Sequence, residues 1–143
     1  MQNDGDVRAV IDARLAATAA KDAVGSIAAL AEDAVVFDLP PPLEQPRADM
    51  LSPERARAWF ATWDGPITVE VRNLVVRREG DLAFAHGLLH MAGRRTDGSA
   101  GDFWSRTTMC LERRGGAWLI VHEHNSFPMR MDGSGLAATD LNP

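Results

Sequence analysis

Several things are scarce in this sequence, and each scarcity excludes a class of protein. Only one cysteine, Cys110, stands among 143 residues, so no disulfide can form within the chain and a reducing compartment is expected. No apolar run is long enough to cross a bilayer. The start, MQNDGDVRAV, has neither the basic residues nor the apolar stretch of a secretion signal. A cytoplasmic protein with no membrane partner is therefore expected. Basic residues form no stripe: 15 Lys and Arg face 20 Asp and Glu, for a formal charge of -5, which argues against nucleic acid as a partner. The glycine pairs fit no phosphate-binding loop, and no internal repeat is visible. What remains is a length suited to a single domain, residues 1–143, with one core.

The first half of the chain reads as helical. Val7, Val10, Ile11 and Leu15 recur at helical spacing among alanines, with Asp4 or Asp6 placed to cap the start. A second helix is expected from about Asp22, weakened by Gly25. Val35-Val36-Phe37 reads as a short strand delivering Asp38 to its end, before Pro40-Pro41-Pro42 stops any regular pairing. The stretch from Leu39 to Leu51 is the longest irregular segment, of the kind that forms rims and lids. Ser52-Pro53 then starts a helix, serine as cap and proline in the first turn. Ala56, Trp59, Phe60 and Trp63 follow as a ridge along it, which packs on a sheet, walls a ligand cavity, or does both.

After Asp64-Gly65-Pro66 the apolar residues alternate instead. Ile67, Val69 and Val71 open a long strand, and Leu74-Val75-Val76 breaks the alternation as a bulge would. Turns at Glu79-Gly80-Asp81 and between Arg94 and Gly101 give two more strands, and the tail from residue 129 to 143 shows no sustained pattern and is expected to be flexible. Helices first and four long strands after them describe an α+β domain, with an ordered core over about residues 7–128. About three N-terminal helices would pack on a strongly curved, mostly antiparallel sheet, leaving a cone-shaped cavity as the natural ligand site.

The richest stretch runs from Trp104 to Phe127, WSRTTMCLERRGGAWLIVHEHNSF, two strands joined at Gly115-Gly116. With a two-residue turn, Arg114 faces Ala117. Regular pairing from there puts Ser105, Thr107, Met109 and Leu111 on one face with Trp118, Ile120, His122 and His124. Trp104, Arg106, Thr108 and Cys110 then share the other with Leu119, Val121, Glu123 and Asn125. In this register Arg106 and Glu123 lie nearly opposite, either as a cross-strand ion pair or with Arg106 directed at an anionic or carbonyl ligand. If His86 of the preceding strand lies opposite Met109, then His86, His90, His122 and His124 all point to one side; a slip of one residue sends the first two to the other. Cys110, mid-strand among apolar neighbours, reads as core.

These residues resemble a known family. The order of elements, the Val-Val-Phe-Asp strand and above all the hairpin are similar to the SnoaL-like group of the nuclear-transport-factor-2-like superfamily, over about Val7 to Pro128. The R-x-T and G-x-W-x-I-V-H-x-H-x-S pattern also resembles the association domain of calmodulin-dependent kinase II, which shares the fold. The resemblance implies a cone of helices around a curved sheet, often dimeric through the sheet's outer face, in polyketide cyclases, ketosteroid isomerases, dehydratases and epoxide hydrolases as well as in non-enzymatic binding and assembly domains. It implies no metal and no other cofactor, and it favours the arrangement with all histidines on one side. It also places His86 where the kinase domain has a pocket-facing basic residue, while Met109 and Asn125 replace others, so that domain's anion pocket is largely missing. Asp38 falls near where several of the family's enzymes keep an acid or base.

The expectation is a pocket for a small apolar organic ligand with acid/base chemistry from Asp38, His86 and His124. The ligand-binding set would be Trp63, Trp104, Arg106, His90, Met109, His122, Glu123 and Asn125. A carboxylate in an apolar cone loses hydration and histidine titrates near neutrality, which suits proton transfer beside a carbonyl. The competing expectation is a non-catalytic ligand-binding or dimeric assembly module, since one fold hosts many functions. For Asp38 alone, capping of the following turn explains the residue equally well.

Overall fold

The computed structural model describes residues 4 to 143. Helix α1, Gly5–Ala19, buries Val7 and Ile11 completely against the sheet, with Val10 and Leu15 packed at the margin of the same cluster. Each fully buried side chain of this size stabilises by about 1.5–3 kcal/mol, and the pair fixes which face of α1 looks inward. Asp4 occupies the cap position but does not cap. Its carboxylate pairs with Arg8 Nε at 3.1 Å. Helix α2, Ala23–Ile27, is one short turn capped by Asp22, whose Oδ1 accepts from Gly25 N–H at 3.0 Å. A Cβ on Gly25 would lie 2.3 Å from Asp22 Oδ2, so the glycine that weakens the helix also makes room for its cap.

Strand β1, Leu30–Phe37, starts earlier than the Val-Val-Phe motif suggested. The proline-rich segment after it is pinned by Gln45, which is buried: its N–H donates to the Val36 carbonyl and its Nε2 to the Pro40 carbonyl, both at 2.9 Å. One turn of helix, α3, Arg47–Met50, breaks the segment expected to be irregular. Helix α4, Pro53–Phe60, begins as read from Ser52-Pro53, the serine hydroxyl accepting from Arg55 N–H at 3.2 Å.

Four long strands follow: β2, Trp63–Glu79; β3, Leu82–Arg95; β4, Ala100–Arg114; and β5, Ala117–Ser126. With β1 they form one sheet in the order β1-β5-β4-β3-β2, antiparallel except for the parallel pair β1 and β5. Register shifts interrupt β2 against β3 twice, one of them between Arg72 and Val75 where the alternation broke in the sequence. Such irregularities bend strands and raise twist. The chain is thus an α+β domain of helices over a curled, mostly antiparallel sheet.

One expectation needs correction here. Trp63 does not continue the ridge of α4; it opens β2, is 2% exposed, and fills a second cluster with Phe60, Ile67 and Met91. Its ring occupies the space that Cβ atoms on Gly93 and Gly101 would need, at 2.9 and 2.8 Å. The tail makes local contacts of its own. Met129 pairs with Ala137, Arg130 N–H donates to the Leu136 carbonyl at 2.8 Å, and Asp132 Oδ1 accepts from Ser134 N–H at 2.9 Å to make the turn. Single Asp, Ser and Gly residues set such a turn without any hydrophobic period. Among the described residues, no helix is long and apolar enough to cross a membrane.

Candidate functional site

The hairpin of β4 and β5 decides which side chains meet. From the turn it pairs as expected, Arg114 with Ala117 through Leu111 with Ile120, but Cys110 then lies opposite His122. Val121 is an extra residue, and beyond it every side chain of β5 changes face. Glu123 now lies opposite Met109, and Asn125 opposite Thr107, on the face that the helices cover. His122 and His124 join Cys110 and Thr108 on the outer face. The expected division, histidines on one side and Arg106 with Glu123 and Asn125 on the other, is therefore reversed for the whole far half of β5.

On the covered face, polar side chains form a stripe. Glu123 is 8% exposed, and its Oε2 accepts from Arg14 of α1 at 2.8 Å; the same guanidinium donates to the Ser26 carbonyl at 2.6 Å. An ion pair this deep stands only because both partners are satisfied. On the next rung Asn125 Nδ2 donates to Asp38 Oδ1 at 3.1 Å, and Leu39 N–H donates to the same oxygen at 2.8 Å. Asp38 thus meets the first backbone N–H of the segment that follows it rather than one two residues on, and its Oδ2 is clear of both bonds. Thr107 and Ser105 continue the stripe along β4, both buried. Two atoms in it, Ser105 Oγ and Asn125 Oδ1, are buried without a protein partner. Buried polar atoms are seldom left so, and together they leave a donor and an acceptor unspent on the covered face. Apolar residues border the stripe: Leu89 lies opposite Ser105, and Phe103, on the adjoining rung, meets Phe127 edge-on at 5.5 Å.

The outer face collects a different set. His86 lies opposite Thr108 rather than Met109, Leu88 opposite Arg106, and His90 opposite Trp104. All four histidines do share one face, and it is the one away from the helices. His90 is held between two carboxylates, Nε2 to Asp102 at 2.8 Å and Nδ1 to Glu70 at 2.9 Å. The bond to Asp102 first, and that to Glu70 after burial is set against them, raise its pKa above the ordinary histidine value. Its ring stacks on Trp104 at 4.5 Å, and the Arg72 guanidinium sits 4.7 Å from the Trp104 ring centre. His122 Nδ1 donates to the Val35 carbonyl at 2.7 Å, and Phe37 packs edge-on against both His122 and His124.

The expected site residues therefore divide. Asp38, Trp63, Met109, Glu123 and Asn125 belong to the covered side; His86, His90, Trp104, Arg106, His122 and His124 belong to the outer side. Asp38 and His86 are not brought together, and Arg106 does not meet Glu123; its Nε donates to Ser126 Oγ at 3.2 Å. Three members of the covered stripe were missing from the expected set. Arg14 had a signal, since Val7, Ile11 and Arg14 follow one helical face. Ser105 and Thr107 share strand parity with Met109 and Leu111, and a hydroxyl in a strand carries no local mark of burial.

Comparison with known proteins agrees with this architecture. The family model of a SnoaL-like domain matches residues 7–130, and no curated protein matches the chain. Among solved structures, an NTF2-like protein of unknown function from Pseudomonas putida KT2440 is 30% identical, over 98% of this chain and 96% of that one, with a TM-score of 0.84. A ketosteroid isomerase-like protein from Erwinia carotovora atroseptica is 19% identical, over 88% of this chain and 97% of that one, at a TM-score of 0.71. A protein from Xanthomonas campestris, provisionally described as a calcium/calmodulin dependent protein kinase II association domain, is 20% identical over 88% of each chain, at 0.72. At identities this low the last two speak for the fold alone.

Proposed function

The chain belongs to the SnoaL-like domain family, and from that premise we propose that it binds a small, largely apolar, carbonyl-containing compound on the covered face. Asp38 is the acid/base group, and the reaction class is isomerisation, cyclisation or dehydration. The observation that carries this reading is the pair of buried, unpartnered atoms, Ser105 Oγ and Asn125 Oδ1, in one stripe with a carboxylate. By strand geometry their residues are roughly 8 Å apart, so the ligand carries polar groups at two points. Asn125 accepts from a hydroxyl, and Ser105 donates to a carbonyl oxygen, where a fixed donor stabilises charge that builds as a proton leaves the neighbouring carbon. Asp38 takes that proton and returns it, with Asn125 and the Leu39 N–H holding the carboxylate in place. Arg14 and Glu123 set the distance between α1 and β5.

The test is turnover of a panel of enones, polyketide-like hydroxyketones and epoxides by the wild type and by Asp38→Asn. The variant is expected to lose about a hundredfold in rate or more while still binding. Equal rates in the two proteins would remove Asp38 from the mechanism.

A second reading, an assembly module, is favoured by one observation. Leu82 and Phe84, apolar and at the turn end of the outer face, are 60% and 46% exposed, and a second copy of the chain would cover them. Light scattering at micromolar concentration is then expected to give the mass of a dimer, reduced by Phe84→Ser; a monomer mass for the wild type rejects it.

A further inference from the structure

The outer face carries an open hollow of about 390 Å³ over β2, β3 and β4, lined by Asn73, Val75, His86, Leu88, Arg106 and Thr108. It arises where the register of β2 shifts between Arg72 and Val75 and Asn73 turns to a φ of 59°. Opposite this irregularity stands Gly87, where a Cβ would lie 2.6 Å from Val71 Cγ1 and 3.1 Å from the Arg72 carbonyl oxygen. The bulged backbone of β2 thus closes in on β3 at Gly87, whose own face is the covered one, while the hollow opens on the outer side between Val75, His86 and Leu88.

Charge in and around the hollow is of one sign. The outer-face rungs through it carry Val75, His86, Thr108 and His124, then Arg72, Leu88, Arg106 and Ser126, with no carboxylate among them. The nearest acids along the strands toward Trp104, Glu70 and Asp102, are engaged by His90. Arg106 spends Nε on Ser126 Oγ, and its two terminal nitrogens have no acceptor among the described residues. In a chain of net charge -5, a planar fork of unspent donors beside a histidine and a hydroxyl is a local anion receptor. Val75 and Leu88 give it apolar walls.

We propose that this hollow binds a small organic carboxylate. The carboxylate sits on the terminal nitrogens of Arg106, with further hydrogen bonds from His86 and the Thr108 hydroxyl, and its apolar body lies over Val75 and Leu88. The site is on the opposite face of the sheet from Asp38, and it stands whether or not the covered face is catalytic.

Benzoate is the probe, with benzamide as its uncharged counterpart and acetate as the anion without a body. Titration calorimetry and backbone amide spectra are recorded on the protein in the oligomeric state it adopts. Benzoate is expected to saturate a single site and to shift the amides of His86 and Thr108, with benzamide and acetate binding at least about tenfold more weakly; Arg106→Gln, at an exposed position, lowers benzoate affinity by a similar factor. Asp38→Asn is expected to leave it unchanged. The proposal is overturned if benzoate does not bind, as when a second copy seals the hollow, if benzamide or acetate binds as well, if Arg106→Gln binds as tightly, or if the shifted amides are those of Ser105 and Asn125.

Discussion

Glu123 lies in a part of the molecule where little water remains, and its worth is set by its partner. Removing either partner leaves the other's charge unpaired there, and the cost of desolvation falls on whichever is left. Glu123→Gln keeps the shape and removes one charge, so it strands the guanidinium; a loss of about 3 kcal/mol in urea denaturation is expected. Replacing both at once, Arg14→Met with Glu123→Leu, is expected to recover most of that loss. His90 is held between the exposed carboxylates of Glu70 and Asp102. Its folded pKa is raised, so its contribution is full below the ordinary histidine pKa of about 6.5 and is lost as pH rises through the raised value. Denaturation midpoints measured across that range should fall with rising pH in the wild type and change less in His90→Gln.

Among elements, β5 carries the most consequence, and its decisive feature is one unremarkable residue. Helix starts could be read in advance because their determinants are local: Ser52 and Pro53 act on the next three residues, and the turn at Gly115-Gly116 needs only its own positive φ values of 57° and 82°. The bulge at Val121 has no such local mark. A valine between Ile120 and His122 pairs as well as it bulges, and in the bulged register Glu123 meets Arg14 of α1. The bulge exchanges the faces of His122, Glu123, His124 and Asn125 relative to regular pairing, and so divides the expected site residues between the two sides of the sheet. At the other end of the sheet, the close approach of β3 and β4 to Trp63 rests on missing side chains. Gly93→Ala brings a Cβ to 2.9 Å from Trp63 Cε3 and 3.0 Å from the Pro66 carbonyl oxygen. Since the second contact is backbone, it cannot yield by a rotamer change; a loss of about 1–3 kcal/mol is expected, with Trp63 fluorescence altered.

For the whole molecule, the fold was legible almost throughout, because hydrophobic period, turn residues and a family resemblance all pointed to helices on a mostly antiparallel sheet. The site was legible only in its residue types. Polar and titratable side chains cluster in the far half of the sheet as expected, but the sheet parts them into two sets. One set, Asp38, Asn125, Ser105 and the pair Arg14 and Glu123, lies under the helices; the other, with all four histidines and Arg106, faces outward. We propose that proton transfer belongs to the first set. The most direct measurement compares turnover of the carbonyl panel by Asp38→Asn and His86→Gln under identical conditions. Loss of about a hundredfold or more in the first, with the second close to wild type, is the predicted result; the reverse, or an Asp38→Asn protein that keeps the wild-type rate, would contradict it.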